Sequence, residues 1–221
     1  MFLRWNIDSS RLVRLLSGWA PLDAHAPGMD IAERLGLWVS AFDAIGLQAA
    51  QQSIMTLTRA APASPPRPVQ ACAKSVAEDL VRVRTTLAHL IAKEADSLTA
   101  DDTSYALYHQ LHLRLQREME QAIASLRDRV RQTLSRISPR LRQLAALDAV
   151  LEQVIAPREQ ALLPTTSTLM ARRYEQLRAT EGGLDGFANE WRQALLSELD
   201  LRLEPVTGLV DALRNEPMNP Q

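Results

Sequence analysis

"YALYHQLHLRLQREMEQAIASLRDRVRQTLSRI", residues 105–137, decides the fold class of this chain. Leu107, Leu111, Leu115, Met119, Ile123, Leu126, Val130, Leu134 and Ile137 follow one another at spacings of three and four, the period of an amphipathic α-helix. Neither Gly nor Pro interrupts them, so one long helix is expected from Tyr105 to Ile137. Most steps are four, which is not the strict heptad of a left-handed coiled coil. A nearly straight bundle helix fits better than an extended two-stranded coil.

The next stretch, "SPRLRQLAALDAVLEQVIAPREQALLP", residues 138–164, begins with its own start signal. Ser138 suits an N-cap, and Pro139 suits the first helical position, where its missing N–H leaves nothing unpaired. Leu141, Leu144, Leu147, Leu151, Val154 and Ile155 are expected to form a buried stripe. Pro157 and Pro164 are expected to cut the pattern into pieces that turn against each other.

Outward from this centre the same signals recur. In "SSRLVRLLSGW" Leu12, Leu15 and Leu16 share a face, and Gly18 marks a stop. Asp30 and Glu33 have capping-box spacing before a helix carrying Ile31, Leu35, Trp38, Phe42, Ile45 and Leu47. "RAAPASPPRP", residues 59–68, holds four prolines and reads as a semi-rigid linker. Ser75 with Glu78 is a second capping box, and Asp101 or Asp102 offers an N-cap for the long helix. A further helix is expected near 166–180. The last one starts at Asp185, runs through Phe187, Trp191, Leu195, Leu199 and Leu203, and kinks at Pro205.

Strand signals are almost missing. The expected fold is therefore all-α: a multi-helix bundle of about six or seven helices with one long central helix. Its expected organisation is an N-terminal helical segment (1–58), the linker (59–68), a C-terminal bundle (69–215) and a tail (216–221).

Composition bounds the function. The chain has 221 residues, 46% hydrophobic and 23% charged, with a formal net charge of −1, so no global attraction to nucleic acid or anionic lipid operates. Cys72 is the single cysteine, which excludes an intrachain disulfide and suits a reducing compartment. Arg4, Asp8, Arg11 and Arg14 break the apolar run a signal peptide requires, and no window approaches the roughly 18 apolar residues of a membrane span. A soluble, cytoplasmic protein without direct membrane insertion is expected.

Catalytic constellations are weak. His109 and His112 lie one turn apart, but no third ligand accompanies them, and two helix-surface histidines are the simpler reading. There is no nucleophile elbow, and "EGGLDGF" lacks the Lys and Ser/Thr of a phosphate-binding loop. Neither enzyme activity nor a cofactor or metal is expected. The strongest electrostatic feature is Arg127, Arg129, Arg131, Arg136, Arg140 and Arg142, with Asp128 the only acid among them. Alternate positions step about 200° around a helix, so these arginines spread over a solvent face rather than forming one ridge. A solvated face, or docking against an acidic partner, is the first reading and phosphate contact with nucleic acid the alternative. Trp5, Trp19, Trp38 and Trp191 read as core anchors, with partner anchoring the alternative for Trp5 and Trp19.

Three stretches, "AERLGLWVSAFDAIGLQAAQQSI", "LSRISPRLRQLAALDAVLEQVIAPREQALLP" and "ELDLRLEPVTGLVDAL", resemble an uncharacterised family of bacterial proteins known as a domain of unknown function. The resemblance implies genes beside those of MotA/TolQ-like proton channels and OmpA-like peptidoglycan-binding proteins. It thereby implies an accessory of an envelope-spanning machine, in envelope physiology or in phage defence. It brings no catalytic residues. The expectation is a non-catalytic cytoplasmic interaction or scaffold protein whose partners are proteins, a second copy of the chain among them.

Overall fold

A computed structural model describes residues 11–19, 46, 48, 49, 51, 52, 54, 69–98, 104–180 and 183–216, without the side chains of 17, 158–164, 183 and 185. Among these residues there is no strand, and the packing is that of a helical bundle. The helices are α1 (Arg11–Ser17), α2 (Val69–Asp96), α3 (Tyr105–Ile137), α4 (Pro139–Arg178) and α5 (Phe187–Arg214), with a 3-10 turn at Gly183–Gly186 before α5. The expected linker, Trp5, Trp38, the Asp30–Glu33 capping box, Asp101 and Asp102 lie outside the described residues, as do the Asp185 side chain and tail residues 217–221.

The described residues fall into two compact units. The first draws on α1 and on residues within Arg84–Glu120 and Gln160–Arg202. The second draws on residues within Leu35–Val83, Gln121–Glu159 and Leu203–Gln221.

In the first unit, Leu12 and Leu16 of α1 are buried together with Leu169, and Trp19 rests on them. Gly18 ends α1 as expected, its N–H donating to the Arg14 and Leu15 carbonyls at 3.3 and 3.2 Å. The centre of this unit is aromatic. Tyr108 meets Phe187 and Trp191 edge-on at ring distances of 4.9 and 5.7 Å, and Tyr174 meets Phe187 at 5.0 Å. Edge-to-face pairs of this kind contribute about 0.5–1.5 kcal/mol each beyond the area they bury.

In the second unit Ala73, Val76 and Ala77 of α2 are buried, as are Ile123, Leu126, Val130 and Leu134 of α3, Leu141 and Ala145 of α4, and Val206, Val210 and Leu213 of α5. Ser138 caps α4: its hydroxyl accepts from the Leu141 N–H at 3.2 Å, and Pro139 occupies the first helical position.

The structure departs from the sequence pattern at four places. α2 opens at Val69, so Ser75 and Glu78 are not its start but exposed mid-helix residues. The buried row of α3 runs through Tyr108 and His112, while Leu107 is exposed. Each step of four advances about 40° around a helix, so a stripe of successive fours from Leu107 cannot stay on one side. α4 continues through Pro157 and Pro164 as a single 40-residue helix, longer than the 33-residue α3. Leu147 and Leu151 of the buried stripe expected in α4 are exposed. α5 is one helix on both sides of Pro205, which is exposed. A proline removes one backbone donor and crowds one carbonyl. Tertiary packing of Leu169, Met170 and Tyr174 downstream in α4, and of Val206 and Val210 in α5, outweighs that local cost.

Candidate functional site

The arginine segment lies in the second unit, and most of its charge is already engaged. Arg127 grips Asp148 of α4 through two bonds, from Nε at 2.8 Å and Nη2 at 2.7 Å, and reaches Glu152 at 3.3 Å. Arg131, one turn further on, donates to the same two carboxylates at 3.1 and 2.6 Å and pairs with Asp128. The Arg127 and Arg131 side chains are only 15% and 14% exposed. Burial opposes the Arg131 charge, but the hydrogen bonds it donates to Asp128 and Glu152 and their negative charge outweigh it, raising its pKa. Arg131 is therefore held as a cation, and both guanidiniums are locked to the Asp148 and Glu152 carboxylates. They do not lie on the solvent face that the 200° stepping suggested, because residues 127 and 131 are four apart and face α4 together.

The other members of the segment separate. Arg142 turns back to donate to the Ser135 carbonyl at 3.1 Å, tying the α3–α4 junction. Arg129 and Arg136 are exposed and border a small pocket of about 210 Å³ with Ser75, Asp79, Gln132 and Thr133. Arg140 is exposed in the first turn of α4. Trp19 is half-buried against Leu12, Leu16 and Leu169 rather than standing free. A wider groove of about 900 Å³ runs beside the start of α2 and the end of α5. Ala73, Ala77, Val81 and Leu213 line it, together with side chains of both charges.

The first unit holds a second polar network, deep in its interior. Glu198 of α5 is 3% exposed. It accepts from Gln116 of α3 at 3.0 and 3.2 Å and from Arg202 at 2.9 Å. His112 is fully buried, and neither ring nitrogen has a hydrogen-bond partner. Its Nε2 stands 3.8 Å from Glu198, beyond hydrogen-bonding reach. Burial lowers the His112 pKa; Glu198 pulls it up, while His109 and Arg202 push it further down. The imidazole is thus held neutral. The expectation of two surface histidines is corrected here. His112 faces the core, and His109 is half-buried, 2.7 Å from the Ser167 hydroxyl, which also lies 3.4 Å from the Tyr105 hydroxyl. Among the described residues no group of three metal-ligating side chains converges.

Sequence reading missed the carboxylates that matter. Asp148 and Glu152 are the only charges in residues 143–157, four apart, which is a legible sign that they share one partner surface. Glu198 sits at a core position inside the apolar run "ALLSELDLRL", a polar group where burial demands partners.

Fold and networks together define an all-helical bundle protein braced by part-buried and buried charge clusters. The chain belongs to the family described as "Protein of unknown function (DUF3348)", whose pattern matches residues 2–215. No curated protein and no solved structure matches it. No helix among the described residues is long and apolar enough to cross a membrane.

Proposed function

We propose that this protein is a non-catalytic helical interaction or scaffold protein. The observation that carries this reading is how its charges are used. The side chains best suited to chemistry or phosphate binding are tied to one another: Arg127 and Arg131 to Asp148 and Glu152, and Glu198 to Gln116 and Arg202. Groups fixed this way brace helices against each other and are poorly placed to exchange protons or bind a substrate. Service as an accessory of an envelope-associated complex with MotA/TolQ-like and OmpA-like proteins, including a phage-defence one, is supported by the family resemblance alone. A cytoplasmic location belongs to the same reading.

The test is a tagged pull-down from the native host, with co-eluting proteins identified and the 260/280 nm ratio recorded. Stoichiometric recovery of a protein partner is the expected result. Turnover of a nucleotide or cleavage of nucleic acid by the purified protein would overturn the reading. Nucleic-acid binding is the second reading, supported by the exposure of Arg129, Arg136 and Arg140. Recovery of nucleic acid without protein would promote it.

A further inference from the structure

Arg114, Arg127 and Arg131 of α3 each hold a carboxylate of a neighbouring helix. Arg129 and Arg136 do not. Both are exposed, and among the described residues neither guanidinium meets an acid or donates a hydrogen bond. Seven residues separate them, which is two turns less about 20°, so they stand on one line of the helix about 10.5 Å apart along its axis. Both border the same pocket of about 210 Å³, which lies in the second unit between α3 and α2.

The other groups around this pocket are donors more than acceptors. Gln132 stands between the two arginines, and Ser75 faces them from α2. Both are exposed and make no hydrogen bond among the described residues, so an amide and a hydroxyl are each able to donate. Val76, Leu126 and Val130, all buried, give the pocket an apolar wall. One carboxylate borders it, that of Asp79, and Arg82 holds it at 2.9 Å. With Asp79 offset by Arg82, the two α3 arginines leave the pocket with an excess of positive charge.

Donors from two helices with two unneutralised charges suit a compact tetrahedral oxyanion. Guanidiniums bind phosphate through parallel N–H pairs and remain charged throughout the physiological range. A carboxylate brings two oxygens and one charge to these four donor groups, whereas a phosphate monoester brings three acceptor oxygens and up to two charges. Size narrows the class further. The volume is about seven times a water molecule's share of liquid, and it lies below the roughly 300 Å³ at which sites for drug-sized ligands begin. A phosphate with a few carbon atoms fits it better than a nucleotide does.

We propose that the α2–α3 pocket binds a small phosphate, either the free anion or the head of a small phosphate monoester. Arg129 and Arg136 close on its oxygens from the two ends, and Gln132 and Ser75 donate between them. The site goes beyond the scaffold reading and does not depend on it. Because the arginines are exposed and screened, binding is weak, with Kd of about 0.1–1 mM.

Isothermal titration calorimetry of the full chain with sodium phosphate, at ionic strength held constant with sodium chloride, tests the proposal. One phosphate should bind per chain. Arg129→Gln and Arg136→Gln should each weaken binding about tenfold or more, with an unchanged far-UV spectrum because both side chains are exposed. Arg140→Gln removes a charge that is also exposed but lies outside the pocket, and it should leave Kd within about twofold. Glycerol phosphate separates the sources: tighter binding than inorganic phosphate assigns the pocket to a monoester, and equal or weaker binding assigns it to the free anion. No saturable heat up to about 20 mM phosphate, or an Arg140→Gln variant weakened as much as Arg129→Gln, would overturn the proposal. A short DNA duplex whose binding all three substitutions weaken alike, without a saturable phosphate site, would overturn it in favour of the nucleic-acid reading.

Discussion

Replacing Asp148 with Asn is the most informative single perturbation of the second unit. The side chain keeps its volume and loses its charge, so the effect reports electrostatics rather than packing. Asp148 accepts three bonds from two guanidiniums, at 2.8, 2.7 and 3.1 Å, and its residue is 8% exposed. Breaking a buried ion pair by removing one partner costs about 3–5 kcal/mol, because the other charge is left uncompensated. Here Glu152 remains within 3.3 and 2.6 Å of Arg127 and Arg131, and both arginines retain some solvent contact. The expected loss is therefore smaller, about 2–3 kcal/mol. For a chain of this size that corresponds to a fall in Tm of about 5–10 °C. Urea unfolding followed by far-UV circular dichroism measures it directly. The companion variant, Arg127→Met, Arg131→Met, Asp148→Leu and Glu152→Gln together, removes every charge at the contact but the exposed Asp128 and should recover most of the loss. If Asp148→Asn costs less than about 0.5 kcal/mol, the bridge is no more than a surface ion pair and the bracing role assigned to it is wrong.

The remaining predictions test other parts of the molecule. His112 binds its proton more weakly folded than unfolded, so its stability contribution is complete above the ordinary histidine pKa near 6.5 and is lost as pH falls below it. His112→Leu should remove up to about 1.4 kcal/mol per pH unit of that slope between pH 6.5 and 5; an unchanged slope would show that other groups cause it. Pro157→Ala restores a backbone donor inside a continuous helix and should raise Tm by a few degrees, whereas a lower Tm would mean that the chain turns there. Ser138→Ala removes the cap of α4 and should cost about 1 kcal/mol in urea unfolding. If the nucleic-acid reading holds, replacing the exposed Arg129, Arg136 and Arg140 by Ala should weaken binding and flatten its salt dependence, and unchanged binding would eliminate that segment as the contact.

Helix identity was legible because it rests on local rules. Tyr105–Ile137 carries no breaker and a near-constant stripe, and Ser138–Pro139 is a start signal made of two adjacent residues, so the structure places both where the pattern does. What local rules do not contain is which neighbour a face meets. Ser75 with Glu78 satisfies the spacing of a capping box, yet apolar packing of Ala73, Val76 and Ala77 carries the helix six residues further back. Pro157 and Pro164 break an isolated helix, and yet α4 passes through both, because partners elsewhere in the chain hold the turns on either side. The same blindness applied to the arginines. Their number was visible, but the availability of each depended on Asp148 and Glu152 reaching back from the next helix.

α4 shows why this distinction bears on function. Apolar periodicity says that a face avoids water, and it says nothing about whether the cover comes from the same chain. Read alone, Leu147 and Leu151 belong to the core, and Asp148 and Glu152 to the solvent. Arg127 and Arg131 reverse both assignments: two guanidiniums on α3 draw the carboxylates inward, and rotating those carboxylates inward turns the leucines out. The bridge and the exposed row are thus one arrangement. Loss of the arginines would free the helix to roll its leucines toward α3. On this physical account the ion pairs of Asp148 and Glu152 decide which side of α4 faces α3.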